Sequence, residues 1–68
     1  MGTIQAAALT VLTEAGGPLA PRQVRARAQA LLGLTVSQDT ISSFVSVASR
    51  DELSSVVRVQ RGLYGVRR

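Results

Sequence analysis

One stretch near the C-terminal end decides the fold: it runs from Val56 to Val66 and reads VVRVQRGLYGV. Apolar and polar side chains alternate along its first half, as they do in a strand with one buried face. The pair Arg61-Gly62 then gives a turn signal, and alternation resumes along the returning half. The stretch predicts a two-stranded antiparallel hairpin. Its expected inward face contains Val57, Val59, Tyr64 and Val66.

The other side of this hairpin is expected to be basic and exposed, with Arg58, Arg61 and Arg67. An arginine on such a wing can contact the phosphate backbone of a nucleic acid or enter a narrow minor groove. Charged side chains on an exposed strand also prevent pairing with another chain, so that explanation stays open. Leu63 beside the turn is expected to be exposed, which would equally mark a protein contact.

Three segments of helical periodicity precede the hairpin. The first helix is expected from an N-cap at Thr3 to about Ala15, where Gly16-Gly17-Pro18 ends it. The second begins at Pro21, and Gly33 stops it. A four-residue connection leads to a third helix, for which Ser37 is the expected N-cap. The expected core faces are Ile4, Ala8, Val11, Leu12 and Ala15; Val24, Ala28, Leu31 and Leu32; and Ile41, Phe44, Val45 and Ala48.

This order of elements predicts a mainly α fold with a small β-hairpin, the winged helix-turn-helix. We expect Leu19 and Ala20 to form a short extended link that pairs with the edge of the hairpin. The 68 residues form one domain, without repeats or linkers, and we expect it to be the N-terminal module of a longer protein. The apolar residues, 46% of the chain, must stabilise it alone because cysteine and histidine are absent.

The composition favours a polyanionic partner and argues against an enzyme. The net charge is +4, and all eight basic residues are arginine, whose planar fork of donors matches phosphate and the guanine edge. Solubility alone is the alternative explanation. Because no nucleophile with a base, phosphate loop or metal-ligand spacing occurs, we expect no catalysis, cofactor, metal or small-molecule substrate. No membrane span or signal peptide is expected, which favours a cytoplasmic location.

Two clusters in the helices are candidate nucleic-acid contacts. The outer face of helix three is expected to carry small hydroxyls that allow close approach to a major groove, with Val47 as its only long apolar residue. Its candidate contacts are Gln38, Asp39, Ser42, Ser43, Ser46 and Arg50. Arg22 and Arg25, near the start of helix two, lie where a phosphate is favoured. A merely solvated helix face remains an alternative for both clusters.

Three runs of this sequence resemble HARE-type winged helix-turn-helix domains: Ala7–Leu19, Thr35–Ile41 and Val57–Val66. The resemblance rests mostly on core and turn residues, and the chain departs from common members at Ala6, Ala20 and Gln60. Members of that family are modules of larger proteins, including chromatin regulators and bacterial restriction-type nucleases. They have been proposed to bind DNA and to sense modified bases. One branch is an accessory domain of bacterial RNA polymerase.

The sequence therefore predicts a module that binds double-stranded DNA, with helix three in the major groove. Arg22 and Arg25 would hold one backbone, and Arg58 and Arg61 the neighbouring groove or its phosphates. The resemblance implies that modified bases are sensed and that a downstream effector domain follows. The alternative is a protein-interaction module of a transcription or chromatin complex, docking through Leu63, Val47 and the serines of helix three.

Overall fold

The computed structural model of the chain describes residues 3–67 and contains three helices followed by a hairpin. The elements are α1 Thr3–Ala15, α2 Pro21–Leu32, α3 Gln38–Arg50, β1 Val56–Gln60 and β2 Leu63–Val66. The strands pair antiparallel in one two-stranded sheet. The predicted mainly α fold with a C-terminal hairpin, in the winged helix layout, is confirmed.

Glycines end the first two helices as predicted. Gly16 and Gly33 have φ angles of 71° and 70°, in the left-handed region where a residue without a Cβ is unstrained. The Gly33 N–H closes α2 by donating to the Gln29 carbonyl at 2.8 Å. At the other end of α2, Ala20 has no side chain that could cap the helix. Instead, the Gln23 Oε1 accepts from the Ala20 N–H at 2.9 Å.

The start of α3 follows the prediction in position but not in its capping bond. Ser37 occupies the N-cap position, yet its hydroxyl makes no capping hydrogen bond. The residues on either side supply the anchor, because Val36 and Ile41 are both fully buried in the core. This pair occupies the positions of a hydrophobic staple, which fixes the angle at which the chain enters a helix.

The core lies where the three helices meet the base of the hairpin. Its largest buried side chains are Leu12, Val24, Val36, Ile41, Val45 and Val56, and Phe44, Ala48 and Tyr64 pack against them. The prediction for Leu31 is wrong: it is 54% exposed, because the core packs against the side of α2 that carries Val24, Ala28 and Leu32.

The face of the hairpin that packs on the helices differs from the prediction in its first strand. Val56, not Val57 or Val59, is buried there, and Val59 is 51% exposed. Cross-strand partners share a face, and the pairs are Val56 with Val66, Val57 with Gly65, and Arg58 with Tyr64. Tyr64 and Val66 pack against the core as predicted, so their partners Arg58 and Val56 lie on that same face of the sheet. An irregularity between Arg58 and Gln60 shifts the register near the turn.

A third extended segment joins the hairpin on the other edge of β2. The Leu19 N–H donates to the Tyr64 carbonyl at 2.8 Å, and the Tyr64 N–H donates back at 2.9 Å. The predicted pairing of this link is confirmed, and it ties the start of α2 to the sheet. Leu63, expected to be exposed, is half-buried. No helix in the described part of the chain is long and apolar enough to cross a membrane.

The register of β1 makes a stability prediction. Val56→Ala should lower the free energy of unfolding by about 1.5–3 kcal/mol, because it removes buried methyl groups and leaves a cavity. Val59→Ala should cost less than about 1 kcal/mol, because that side chain is half exposed. Urea denaturation of both variants measures this, and a larger loss for Val59→Ala would mean that the register is wrong.

Candidate nucleic-acid interface

The turn between α2 and α3 is held by two side chains of α2 that hydrogen-bond to the backbone of Val36, an arrangement that we call the grip. The Arg25 Nε donates to the Val36 carbonyl at 2.7 Å, and the Gln29 Oε1 accepts from the Val36 N–H at 3.0 Å. Arg25 and Gln29 lie one helical turn apart, so both reach the same side of α2. Because the Val36 side chain is buried, this grip fixes where α3 begins and which side of it faces outward.

Arg25, which the sequence predicts to contact a phosphate together with Arg22, also has a structural role in this turn. Arg25 is half-buried and its Nε is committed to the turn, while its two Nη groups make no hydrogen bond within residues 3–67. Arg22 is exposed at the first turn of α2. Both arginines lie near the start of α2, but only Arg22 has its whole guanidinium uncommitted.

Four predicted contacts form a ridge along one side of α3, at successive steps of four residues: Gln38, Ser42, Ser46 and Arg50. Two hydrogen bonds link neighbouring residues of the ridge. The Gln38 Nε2 donates to the Ser42 Oγ at 3.2 Å, and the Arg50 Nη2 donates to the Ser46 Oγ at 3.3 Å. These bonds leave the Gln38 Oε1 and most of the Arg50 donors available to another molecule.

The two remaining predicted contacts on α3 lie on a neighbouring row. Asp39 and Ser43 are exposed and line a groove between α3, α1 and the segment that precedes β1. Val47 continues this row and is 65% exposed. The predicted set on α3 thus divides into a polar ridge and a groove-lining row.

The hairpin presents its arginines at different places. Arg58 is exposed and lies opposite Tyr64, so it projects from the sheet face that packs on the helices and not, as expected, from the opposite face. Arg61 is exposed in the turn beside Gly62, whose φ of 77° requires glycine. Arg67 is exposed just after β2, where its N–H donates to the Ser55 carbonyl at 2.6 Å.

Charge is unevenly distributed along the fold. Within the described residues 3–67, no arginine forms an ion pair with a carboxylate. The segments 15–38 and 53–67 each contain three arginines and no acidic residue. The four carboxylates are Glu14, Asp39, Asp51 and Glu52. The start of α2 and the hairpin are therefore regions of uncompensated positive charge, whereas the end of α3 is acidic.

Two features of this surface were missed from the sequence. Gln29 was not predicted to have a role, although its spacing of four from Arg25 indicates that both side chains can reach one target. Leu53 received no role, yet it is 96% exposed. A leucine in a short polar loop gives little indication of its exposure, because loops often bury one apolar residue.

Comparisons with known proteins add no family to this description. No protein-family model matches the chain, and neither a curated protein nor a solved structure matches it.

The grip on Val36 makes a second stability prediction. Gln29→Ala should lower the free energy of unfolding by about 1–3 kcal/mol, because it leaves the Val36 N–H without its partner. For a domain of this size the melting temperature should fall by roughly 5–15 °C.

Arg22→Ala is the matched control on the same helix, since its exposed side chain makes no hydrogen bond within the described residues. It should change the free energy of unfolding by less than about 0.5 kcal/mol. Thermal denaturation followed by circular dichroism compares them, and equal melting temperatures would contradict a stabilising role for the grip.

Proposed function

We propose that the chain binds double-stranded DNA, with the α3 ridge in the major groove and the hairpin as a basic wing beside it. The observation that carries this proposal is a polar ridge on a well-anchored helix, exposed at Arg50 and half-buried at Gln38, Ser42 and Ser46, together with arginines that form no ion pair within the described residues. An α-helix fits the width of the major groove, and unpaired arginines supply the phosphate contacts that dominate affinity.

The ridge has the chemistry needed to contact base edges. Gln38 keeps its Oε1 and one amide hydrogen, the pair of groups that contacts adenine. Arg50 keeps enough donors to contact guanine or a phosphate. Ser42 and Ser46 lie between them, and their short side chains let the helix backbone approach the groove closely. Under this proposal, Asp39 and Ser43 lie at the edge of the contact.

Under this proposal, the wing and the start of α2 supply contacts to DNA that do not depend on its base sequence. Arg58 and Arg61 would bind the adjacent backbone or enter the minor groove, and Arg22 would bind a phosphate near the N-terminus of α2. A single small module buries little surface, so affinity should be modest and strongly dependent on salt.

Two finer parts of the proposal concern the setting of the module. The resemblance to HARE-type domains favours a role as the DNA-reading part of a longer protein, with an effector domain downstream. It also favours sensitivity to modified bases. A duplex that carries 5-methylcytosine, compared with an unmodified copy of the same sequence, measures that preference.

The wing supplies the sharpest test. Arg61→Ala should weaken binding to a short labelled duplex roughly three- to tenfold at low salt, because about one phosphate contact is lost. The salt dependence, plotted as log K against log salt, should flatten by about 0.9. Fluorescence anisotropy at several salt concentrations measures both quantities.

Arg27→Ala is the matched control, because it removes the same charge from a different place. Arg27 lines a shallow crevice with Glu14 and Leu31, between α1 and α2. It should change the affinity much less than Arg61→Ala. Equal losses for the two variants would mean that only net charge matters, and no loss for Arg61→Ala would exclude the wing from the interface.

A further inference from the structure

A groove beside α3 lies outside the proposed DNA contact except at Asp39 and Ser43. It has a volume of about 810 Å³ and lies between α1, α3 and the segment that leads into β1. Its apolar lining includes Leu9, Phe44, Val47 and Leu53. Val47 and Leu53 are 65% and 96% exposed, so much of this apolar surface faces solvent.

The loop that carries Leu53 is ordered by its own hydrogen bonds. The Asp51 Oδ1 accepts from the Leu53 N–H at 2.9 Å, and the Asp51 carbonyl accepts from the Ser54 N–H at 3.0 Å. Ser54 in turn accepts from the Val56 N–H at 3.1 Å through its Oγ. Asp51 therefore organises the turn that presents Leu53 at the edge of the groove, and it keeps a second carboxylate oxygen for another partner.

The groove is acidic, although the protein as a whole is basic. Asp39 and Asp51 line it, Glu52 follows directly in the chain, and no arginine is among its lining residues. Asp39 lies in the first turn of α3 and Asp51 just beyond its last turn. Twelve residues of helix at about 1.5 Å each separate them by about 18 Å. The two carboxylates thus mark the two ends of an apolar groove.

We propose that this groove binds an amphipathic helix of a partner protein, about three turns long, with a basic residue near each end. Apolar side chains of that helix would contact Val47, Phe44 and Leu53, and its terminal cations would pair with Asp39 and Asp51. A helix fits better than a strand, because side chains of α1 and α3 form two of the walls and only the first residue of β1, Val56, lines the groove.

The site adjoins the proposed DNA surface and shares with it only Asp39 and Ser43, at the edge of the DNA contact. The ridge of Gln38, Ser42, Ser46 and Arg50 and the row of Asp39, Ser43 and Val47 lie on neighbouring sides of α3. Phosphates are repelled by the carboxylates of the groove, whereas a basic helix is attracted to them. The proposal therefore stands whether or not the chain binds DNA.

Two probe peptides of about sixteen residues test the charge of the occupant. One is a helical leucine–alanine peptide with lysines near both ends, and its counterpart has glutamates in their place. Because the domain has a net charge of +4, unspecific attraction favours the acidic peptide. We expect the lysine peptide to bind saturably and at least about tenfold more tightly, with NMR shift changes at Leu9, Val47 and Leu53.

Variants locate the binding. Leu53→Ser and Asp51→Asn should each weaken binding of the lysine peptide at least about fivefold. Leu34→Ser is the matched control: Leu34 is 53% exposed and lies outside the groove, so its loss should change nothing. Leu53→Ser should leave duplex binding unchanged, which separates this test from that of the DNA proposal.

Three results would overturn the proposal. They are equal or tighter binding of the glutamate peptide, no saturable binding of the lysine peptide, and unchanged lysine-peptide binding by Leu53→Ser. Circular dichroism confirms that each variant is folded before it is used.

Discussion

The position of α3 depends on one constraint, the grip of Arg25 and Gln29 on the backbone of Val36. The buried Val36 side chain closes the core beneath the turn, and its two main-chain groups are satisfied from α2. A buried backbone group without a partner costs more than a typical hydrogen bond contributes, so the turn has little freedom to move. Every proposal about the surface of α3 rests on this orientation.

With its orientation fixed, α3 presents three different surfaces. Ile41 and Val45 are buried in the hydrophobic core. The ridge from Gln38 to Arg50 is polar and partly exposed, and the row from Asp39 to Val47 is exposed and opens on the acidic groove. A helix of 13 residues has room for three such rows because residues three and four apart share a side. The two proposals thus use different sides of one short helix.

Much of this architecture could be predicted from the sequence, and the failures have physical reasons. Gly16, Gly33 and Gly62 lie at turns that need a left-handed backbone, so the ends of α1 and α2 and the turn of the hairpin could be predicted from them. The buried face of β1 could not be predicted, because Val56, Val57 and Val59 are all valine. Only the strand register decides which of them faces the core. The spacing of Arg25 and Gln29 indicates that they can share a target, but their target, Val36, is set by how α2 packs beside the turn.

The central claim is that the ridge and the wing together contact duplex DNA. The most direct measurement is a titration of the ¹⁵N-labelled chain with a short duplex at low salt, followed by amide NMR shifts. The account predicts saturable changes along the α3 ridge, in the turn around Arg61 and at the start of α2, with little change at Leu53. No change at low salt, or changes confined to the groove, would contradict it.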